Sequence, residues 1–393
     1  MKNTKFFRVL LIFATLLASC STDDTTPVTT TPEDPIIVVP PDNDLLIEQR
    51  LQAIIDSKIA EGSEKLVGVS MSIRVDGIER WNLNGGVSKE NFPIHGDLRF
   101  GIGSITKTAV AATILKLEEE GVLSLDDTIG DWLTLNSQNI DDSITIFQLL
   151  SHFAGLREYL TNTMWNRVES NLDTYIPQIE LVDYVGVPNH PPGETHKYSN
   201  THYLILGLII EAATNKTVGE VMREKFWAPL GFNNTYFASN EAVSGVWATP
   251  WRDSNGDGIL EDILDQYRAA YFSVFYCAGG MFSTSSDLSK WVYELYVGNA
   301  LSQTSKDKMF TSYFDIPHPI FIGYGLGTRK NIYGGKVMWG HTGGVRGYGS
   351  HMFYEPTSKI SVAIVNNQSR STNGPQLRHE LFDEIMTLLF AEL

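Results

Sequence analysis

Gly101-Ile102-Gly103-Ser104-Ile105-Thr106-Lys107, running straight into Thr108-Ala109-Val110-Ala111-Ala112-Thr113-Ile114-Leu115, is the stretch that decides how the rest of the chain is read. The Ala/Leu-rich tail predicts a helix, and the two glycines ahead of Ser104 predict a tight turn leading into it. Ser104 therefore falls at or near a helix N-terminus. Lys107 shares its face, because side chains at i and i+3 are neighbours on a helix. A serine hydroxyl is a weak nucleophile until a base takes its proton. A lysine serves as that base when burial or a neighbouring cation lowers its pKa. Backbone N–H groups and the helix dipole at the same place favour a developing oxyanion. One turn thus offers a nucleophile, a base and part of an oxyanion hole. Alone, Ser-x-x-Lys arises by chance about once in every few hundred residues, so its meaning rests on what accompanies it.

The chain has 393 residues, enough for a large core or two lobes, with 42% hydrophobic and 11% aromatic residues, as in ordinary globular proteins. Its formal charge of −16, with no basic run, excludes a nucleic-acid partner. The N-terminus predicts a targeting segment over residues 1–19: Lys2, Lys5 and Arg8, then the apolar Phe6 to Leu17, then Leu17-Ala18-Ser19-Cys20. The apolar run is too short to span a membrane. The pattern resembles a bacterial lipoprotein signal, which implies cleavage before Cys20, lipidation of that cysteine and a membrane-anchored, exported protein. Residues 20–43, rich in Thr, Pro and Asp, read as a tether that buries little. Cys277 is then left without an internal disulfide partner, and Val274-Phe275-Tyr276-Cys277-Ala278 makes it a small buried hydrophobe.

From Asp44 an amphipathic helix is expected, with Leu46, Ile47, Leu51, Ile54, Ile55 and Ile59 at helical spacing. Val67 to Ile73 alternates as a half-buried strand does, and Asp76-Gly77 signals a hairpin before Ile78 to Leu83. Residues 120–265 are mainly helical in pattern. Ile320 to Thr328, Lys336 to His341, Gly347 to Tyr354 and Lys359 to Asn366 read as successive strands, and a helix from about Pro375 closes the chain. The expectation is an α+β domain over residues 44–393: an antiparallel sheet flanked by helices, forming an α/β lobe from 44–105 and 270–393. A mostly helical lobe, 106–269, is inserted between them. The cleft between lobes is the expected site.

Two further segments complete the set. Pro192-Gly193 precedes Tyr198-Ser199-Asn200 at the start of an apolar helix, and His341-Thr342-Gly343-Gly344 ends a predicted strand. Ser104-x-x-Lys107, Tyr198-x-Asn200 and His341-Thr342-Gly343, in that order, resemble the three motifs of the penicillin-recognising serine hydrolases. More narrowly, they are similar to the serine D-alanyl-D-alanine carboxypeptidases and their class C β-lactamase relatives. Leu149-Leu150-Ser151-His152-Phe153-Ala154-Gly155-Leu156 and Ala278-Gly279-Gly280-Met281-Phe282-Ser283-Thr284 agree with shared flanks, so the resemblance covers about residues 45–392.

The resemblance implies that Ser104 is acylated, that Lys107 and Tyr198 share its proton, and that Tyr198 delivers it to the leaving amine. A tyrosine ordinarily titrates near ~10, so it needs an ammonium beside it. Asn200 is expected to bond Lys107 and a substrate amide. The N–H groups of Ser104 and Gly344 are expected to form the oxyanion hole, on a substrate-binding strand with Thr342 and Gly343. His341 stands where true β-lactamases commonly have lysine, which points away from β-lactamase activity. Its imidazole is expected to steer a substrate carboxylate and orient Tyr198. Arg329 lies where a family carboxypeptidase places a carboxylate-binding arginine. His152 reads as structural rather than catalytic. No cofactor and no metal is implied: Asp253-Ser254-Asn255-Gly256-Asp257-Gly258 opens like a calcium loop, but the twelfth position is Leu264, and a turn is the expected reading. The expected activity is a D-Ala-D-Ala carboxypeptidase acting on small cell-wall peptides. The alternatives are an esterase or β-lactamase-like amidase of the same fold, or a non-catalytic β-lactam or peptide sensor.

Overall fold

Asp76 and Gly77 both take positive φ, 49° and 81°, the twist that lets a two-residue turn join right-twisted strands. The turn connects β1 (Gly68–Val75) to β2 (Ile78–Lys89), beside which lies the short β3 (Phe92–Pro93). The last third of the chain adds β4 (Phe314–Asp315), β5 (Phe321–Tyr324), β6 (Arg329–Tyr333), β7 (Lys336–Val345), β8 (Tyr348–Glu355) and β9 (Ile360–Asn366). Together they make a nine-stranded antiparallel sheet in the order β3-β2-β1-β9-β8-β7-β6-β5-β4. The two ends of the chain are stitched at β1–β9, where Val69 faces Asn366 and Val75 faces Ile360. The computed structural model describes residues 42–60, 66–316, 318–370 and 374–393. The signal segment, nearly all of the tether and Cys20 lie outside the described residues.

Helices cover both faces of the sheet, which is why β8 and β9 are buried along their whole length; β9 reads as a near-continuous apolar run, whereas β8 also buries Ser350, His351 and Glu355. Phe353, Val362 and Ile364 pack with Leu51 and Ile55 of α1 (Asp42–Ala60) and with Leu381 and Ile385 of the C-terminal helix Gly374–Glu392. Met352, Ala363 and Val365, one residue out of phase, point into the other core. That second core holds α2 (Thr106–Glu119), α3 (Asn162–Ser170), α4 (Asn200–Thr214), α5 (Ala269–Gly279) and α6 (Ser285–Tyr296). Every residue of α2 from Thr106 to Leu115 is buried, which explains its lack of a polar stripe. The architecture is a mixed α+β fold, a large antiparallel sheet flanked by helices.

Three boundaries differ from the sequence expectation. The first helix begins at Asp42, inside the segment read as tether. The strand expected over 320–328 stops at Tyr324, and Arg329 opens a new strand rather than closing that one. Between them the chain reverses over Gly325-Leu326-Gly327-Thr328, with Gly327 at φ 69° and Gly325 N–H donating to Thr328 O at 2.8 Å. The strand expected over Lys336 to His341 runs on to Val345, so the whole His341-Thr342-Gly343-Gly344 motif lies within β7.

Candidate active site

Ser104 rides on a 3₁₀ turn, Gly103–Ile105, that feeds α2. Gly103 has φ 52°, and a Cβ on it would stand 2.7 Å from backbone atoms of Gly344 on β7. Only a glycine lets the two backbones approach so closely. Gly343 is held just as tightly, since a Cβ there would lie 1.9 Å from the Ile102 carbonyl oxygen. The serine turn and the strand motif, from distant parts of the sequence, therefore sit backbone against backbone. β7 pairs with β6 only from Lys336 to Gly340, so from His341 onward that edge has no β6 partner. Such an edge offers backbone groups to a ligand.

Lys107 is fully buried. Its Nζ donates to Ser104 Oγ at 3.1 Å, to Asn200 Oδ1 at 2.7 Å and to the Ala278 carbonyl at 2.6 Å. An ammonium has three N–H donors, and here each has an acceptor. Ala278 lies just past a kink in α5 at Tyr276, whose φ of 35° breaks the regular helix there, and its carbonyl accepts from the ammonium instead. Asn200, the first residue of α4, is fixed from its other end by Glu158. Its backbone N–H and its Nδ2 donate to Glu158 Oε2 at 3.0 and 2.9 Å. That pair sets the amide orientation: NH₂ toward the carboxylate, oxygen toward the ammonium. Glu158 is a site residue that the sequence reading missed. It stands two residues past the shared flank ending at Leu156, and no spacing rule marks it.

Tyr198 lies between two cations, its ring centroid 5.0 Å from Lys107 Nζ and 5.5 Å from the Arg329 guanidinium carbon. Its hydroxyl is buried without a hydrogen-bond partner among the described residues. The expected contact between phenol, amine and serine is thus met only in part. Lys107 touches Ser104 directly and meets Tyr198 through the ring face, because its three protons are already committed. Arg329 Nη1 donates to Thr342 Oγ1 at 3.0 Å, so the arginine that opens β6 joins the strand motif on β7.

His341 differs from its expected role. It is fully buried and both ring nitrogens are engaged: Nδ1 with Thr342 O at 2.5 Å, Nε2 with Tyr324 Oη at 3.1 Å. It presents neither nitrogen to a substrate carboxylate. Burial, reinforced by Arg329 and Lys107, holds its pKa well below the ordinary histidine value. The contacts fix a directional chain of neutral rings. His341 Nδ1–H must donate to Thr342 O, so Nε2 accepts from the Tyr324 hydroxyl. Tyr324 in turn accepts from His152 Nε2–H at 3.2 Å. His152 Nδ1 then accepts both from His202 Nδ1 at 2.7 Å and from the Ser199 backbone N–H at 3.4 Å. Burial also keeps His152 far below its usual pKa and His202 at about 3. The chain ties the residue after Tyr198 to the strand position beside Gly343. Tyr324 went unnoticed in the sequence, since a lone tyrosine in a strand carries no signal.

Elsewhere, Cys277 is buried as expected. Asp253 accepts from Gly256 N–H at 2.7 Å and Gly258 N–H at 3.0 Å, the hydrogen bonding of a turn. Among the described residues no helix is long and apolar enough to cross a membrane.

The Beta-lactamase family profile matches residues 48–384. The chain belongs to that family. Relatives similar in sequence include the unguisins hydrolase ungD′ of Aspergillus campestris (strain IBT 28561), 25% identical over 341 residues, covering 81% of this chain and 62% of that protein. Penicillin-binding protein 4* of Bacillus subtilis (strain 168) is 25% identical over 299 residues, covering 73% and 64%. The chain thus spans less than two thirds of the length of these curated relatives. Among solved structures it resembles a D-amino acid amidase from Ochrobactrum anthropi SV3, with TM-score 0.76, 23% identity and coverage of 88% and 98%. It also resembles an octameric penicillin-binding protein homologue from Pyrococcus abyssi, with TM-score 0.72, 28% identity and coverage of 87% and 77%. The chain has the fold of these β-lactamase and penicillin-binding-protein relatives, and within it Lys107 joins Ser104 to Asn200.

Proposed function

We propose that the protein is a serine hydrolase that cleaves amide bonds next to D-residues through an acyl-enzyme on Ser104, as a carboxypeptidase of D-Ala-D-Ala type. The observation that carries the substrate reading is Arg329, bonded to Thr342 and with its guanidinium carbon 5.5 Å from the Tyr198 ring centroid. A guanidinium at the motif strand suits the terminal carboxylate that a carboxypeptidase substrate presents. In this reading Ser104 Oγ attacks the penultimate carbonyl, and its proton passes into the Lys107–Tyr198 pair, which starts one proton short as an ammonium beside a phenolate. The oxyanion gathers at the backbone N–H groups of Ser104 and Gly344. The pair returns the proton to the leaving amine of the terminal residue. A water then gives up its proton to the same pair, attacks the ester and frees Ser104. Lys107 stays positioned throughout by Asn200 and the Ala278 carbonyl, and Glu158 holds Asn200. By the same reading the protein is exported and anchored by lipid at Cys20.

The test is intact mass spectrometry after exposure to benzylpenicillin and to a D-Ala-D-Ala peptide, with Ser104→Ala as control. A Ser104-dependent penicillin adduct and release of D-Ala are expected. No adduct together with no D-Ala would overturn the assignment. A second reading, D-amino acid amidase, is favoured by the Ochrobactrum structural neighbour. It predominates if D-phenylalaninamide turns over faster than the peptide.

A further inference from the structure

Beyond the Gly344 end of β7 lies a cavity of about 400 Å³, lined by Glu169, Leu172, Arg252, Ser254, Gln266 and Arg346. Its size is that of a small-molecule site. Arg346 is anchored: Nη1 donates to Glu169 Oε1 at 2.9 Å, and the guanidinium carbon stands 4.0 Å over the Trp165 ring. The Tyr267 hydroxyl fixes its carbonyl. Arg252, on the short strand Trp251–Asp253, is half-buried and has no hydrogen-bond or ion-pair partner for its side chain among the described residues. Burial and the charge of Arg346 both press against its protonated form, while Glu169, Tyr267 and Tyr271 oppose them. With two guanidiniums and one carboxylate, the cavity carries a surplus of one positive charge in a chain whose formal charge is −16. A half-buried guanidinium gains most from a bound carboxylate, which accepts two of its N–H groups at once. Tyr271 donates to Gln266 Oε1 at 3.4 Å, which leaves the Gln266 NH₂ as a further donor toward an anion.

The place of the cavity follows from β7. Thr342, with Arg329 on it, comes two residues before Gly344, and Arg346 comes two residues after. Two residues span at most about 7 Å. A peptide laid along β7 with its scissile carbonyl at Gly344 has its leaving group at Thr342 and its acyl portion toward Arg346. We propose that Arg252 and Arg346 form an acyl-side subsite for a carboxylate, so that the substrate is an acidic peptide with a free carboxylate on the residue ahead of the scissile D-alanine. This rests on the proposed hydrolase reading, and it deepens that reading by naming the peptide class.

Two peptides of equal shape test it: acetyl-Glu-D-Ala-D-Ala and acetyl-Gln-D-Ala-D-Ala, with the full chain. The glutamyl peptide is expected to have the higher kcat/KM by roughly ten- to a hundredfold, the range for a hydrogen bond to a charged group. In Arg252→Gln that ratio is expected to fall to within about twofold of one, and in Arg252→Lys to be partly kept. Equal turnover of the two peptides by the unsubstituted protein, or a ratio that survives Arg252→Gln, overturns the subsite. If neither peptide releases D-Ala, the hydrolase reading fails, and calorimetry on Ser104→Ala still reads the cavity by binding alone. Tighter binding of the glutamyl peptide that is lost in Ser104→Ala/Arg252→Gln supports the subsite there, and equal binding refutes it.

Discussion

Replacing Lys107 by methionine removes the group on which the site is hung and keeps most of its volume. The structure sets two separate expectations. For stability, Asn200 Oδ1 and the Ala278 carbonyl lose their donor inside the protein. Each orphaned acceptor costs about 1–3 kcal/mol, so the fold should lose about 2–6 kcal/mol, less whatever is regained by no longer burying an ammonium. For catalysis, the contact at 3.1 Å to Ser104 Oγ disappears. Loss of a proton-transfer partner costs about 10²–10⁴ in rate, or about 3–5 kcal/mol at 1.36 kcal/mol per decade. The assay is the rate of labelling by a fluorescent penicillin, read beside urea unfolding of the same preparation. Lys116→Met, on the exposed side of α2 where Lys116 meets Glu119, serves as the control and should label at the parent rate. A folded Lys107→Met protein that labels within tenfold of the parent would show that Lys107 is not part of the proton path.

Gly343→Ala should lower stability by about 1–3 kcal/mol and labelling with it, because its Cβ meets the Ile102 carbonyl and pries the serine turn from β7; a thermal melt unchanged within a degree refutes the close approach. Tyr324→Phe strips the hydroxyl between His341 and His152 and should cost about 2–4 kcal/mol while raising KM more than it lowers kcat, since it acts through the strand edge; steady-state kinetics decide, and an unaltered KM counts against the ring chain. For pH, His196 at about 4 and His202 at about 3 are depressed by burial relative to the unfolded value of 6.5. Below pH 6.5 the unfolded chain binds protons that the folded chain refuses. Stability should therefore fall as pH drops from about 6.5 toward 4, by up to about 1.4 kcal/mol per pH unit for each such group. Urea unfolding at pH 7, 5.5 and 4.5 checks the slope, and a flat profile contradicts the burial of these rings.

Ser104 and Lys107 were legible because their relation is local: an i, i+3 pair on a helix needs no tertiary knowledge. Asn200 was legible from the motif, and in the structure its Oδ1 accepts from Lys107. The sheet and flanking helices were legible from alternation and from the apolar run of β9. Glu158 was not, because its role exists only when the loop after Leu156 meets the first turn of α4. The turn at Gly325–Thr328 was read through as strand because Ile320 to Thr328 is largely apolar, whereas the reversal depends on Gly327 at positive φ. His341 shows the deepest limit. Its residue type invited a ligand role, but which way its nitrogens face is decided by Tyr324 and the Thr342 carbonyl, and neither choice is written in spacing.

One consequence of the sheet order concerns synthesis. β1, made early, lies mid-sheet between β2 and β9, and β9 is the last strand of the sheet to be translated. A nascent chain on the ribosome therefore displays an unsatisfied apolar strand, and its nucleophile waits without Gly344, until almost the whole protein has emerged. Folding of such a chain is governed by its most distant contact. Premature termination anywhere before residue 366 should leave a chaperone client rather than a weak enzyme.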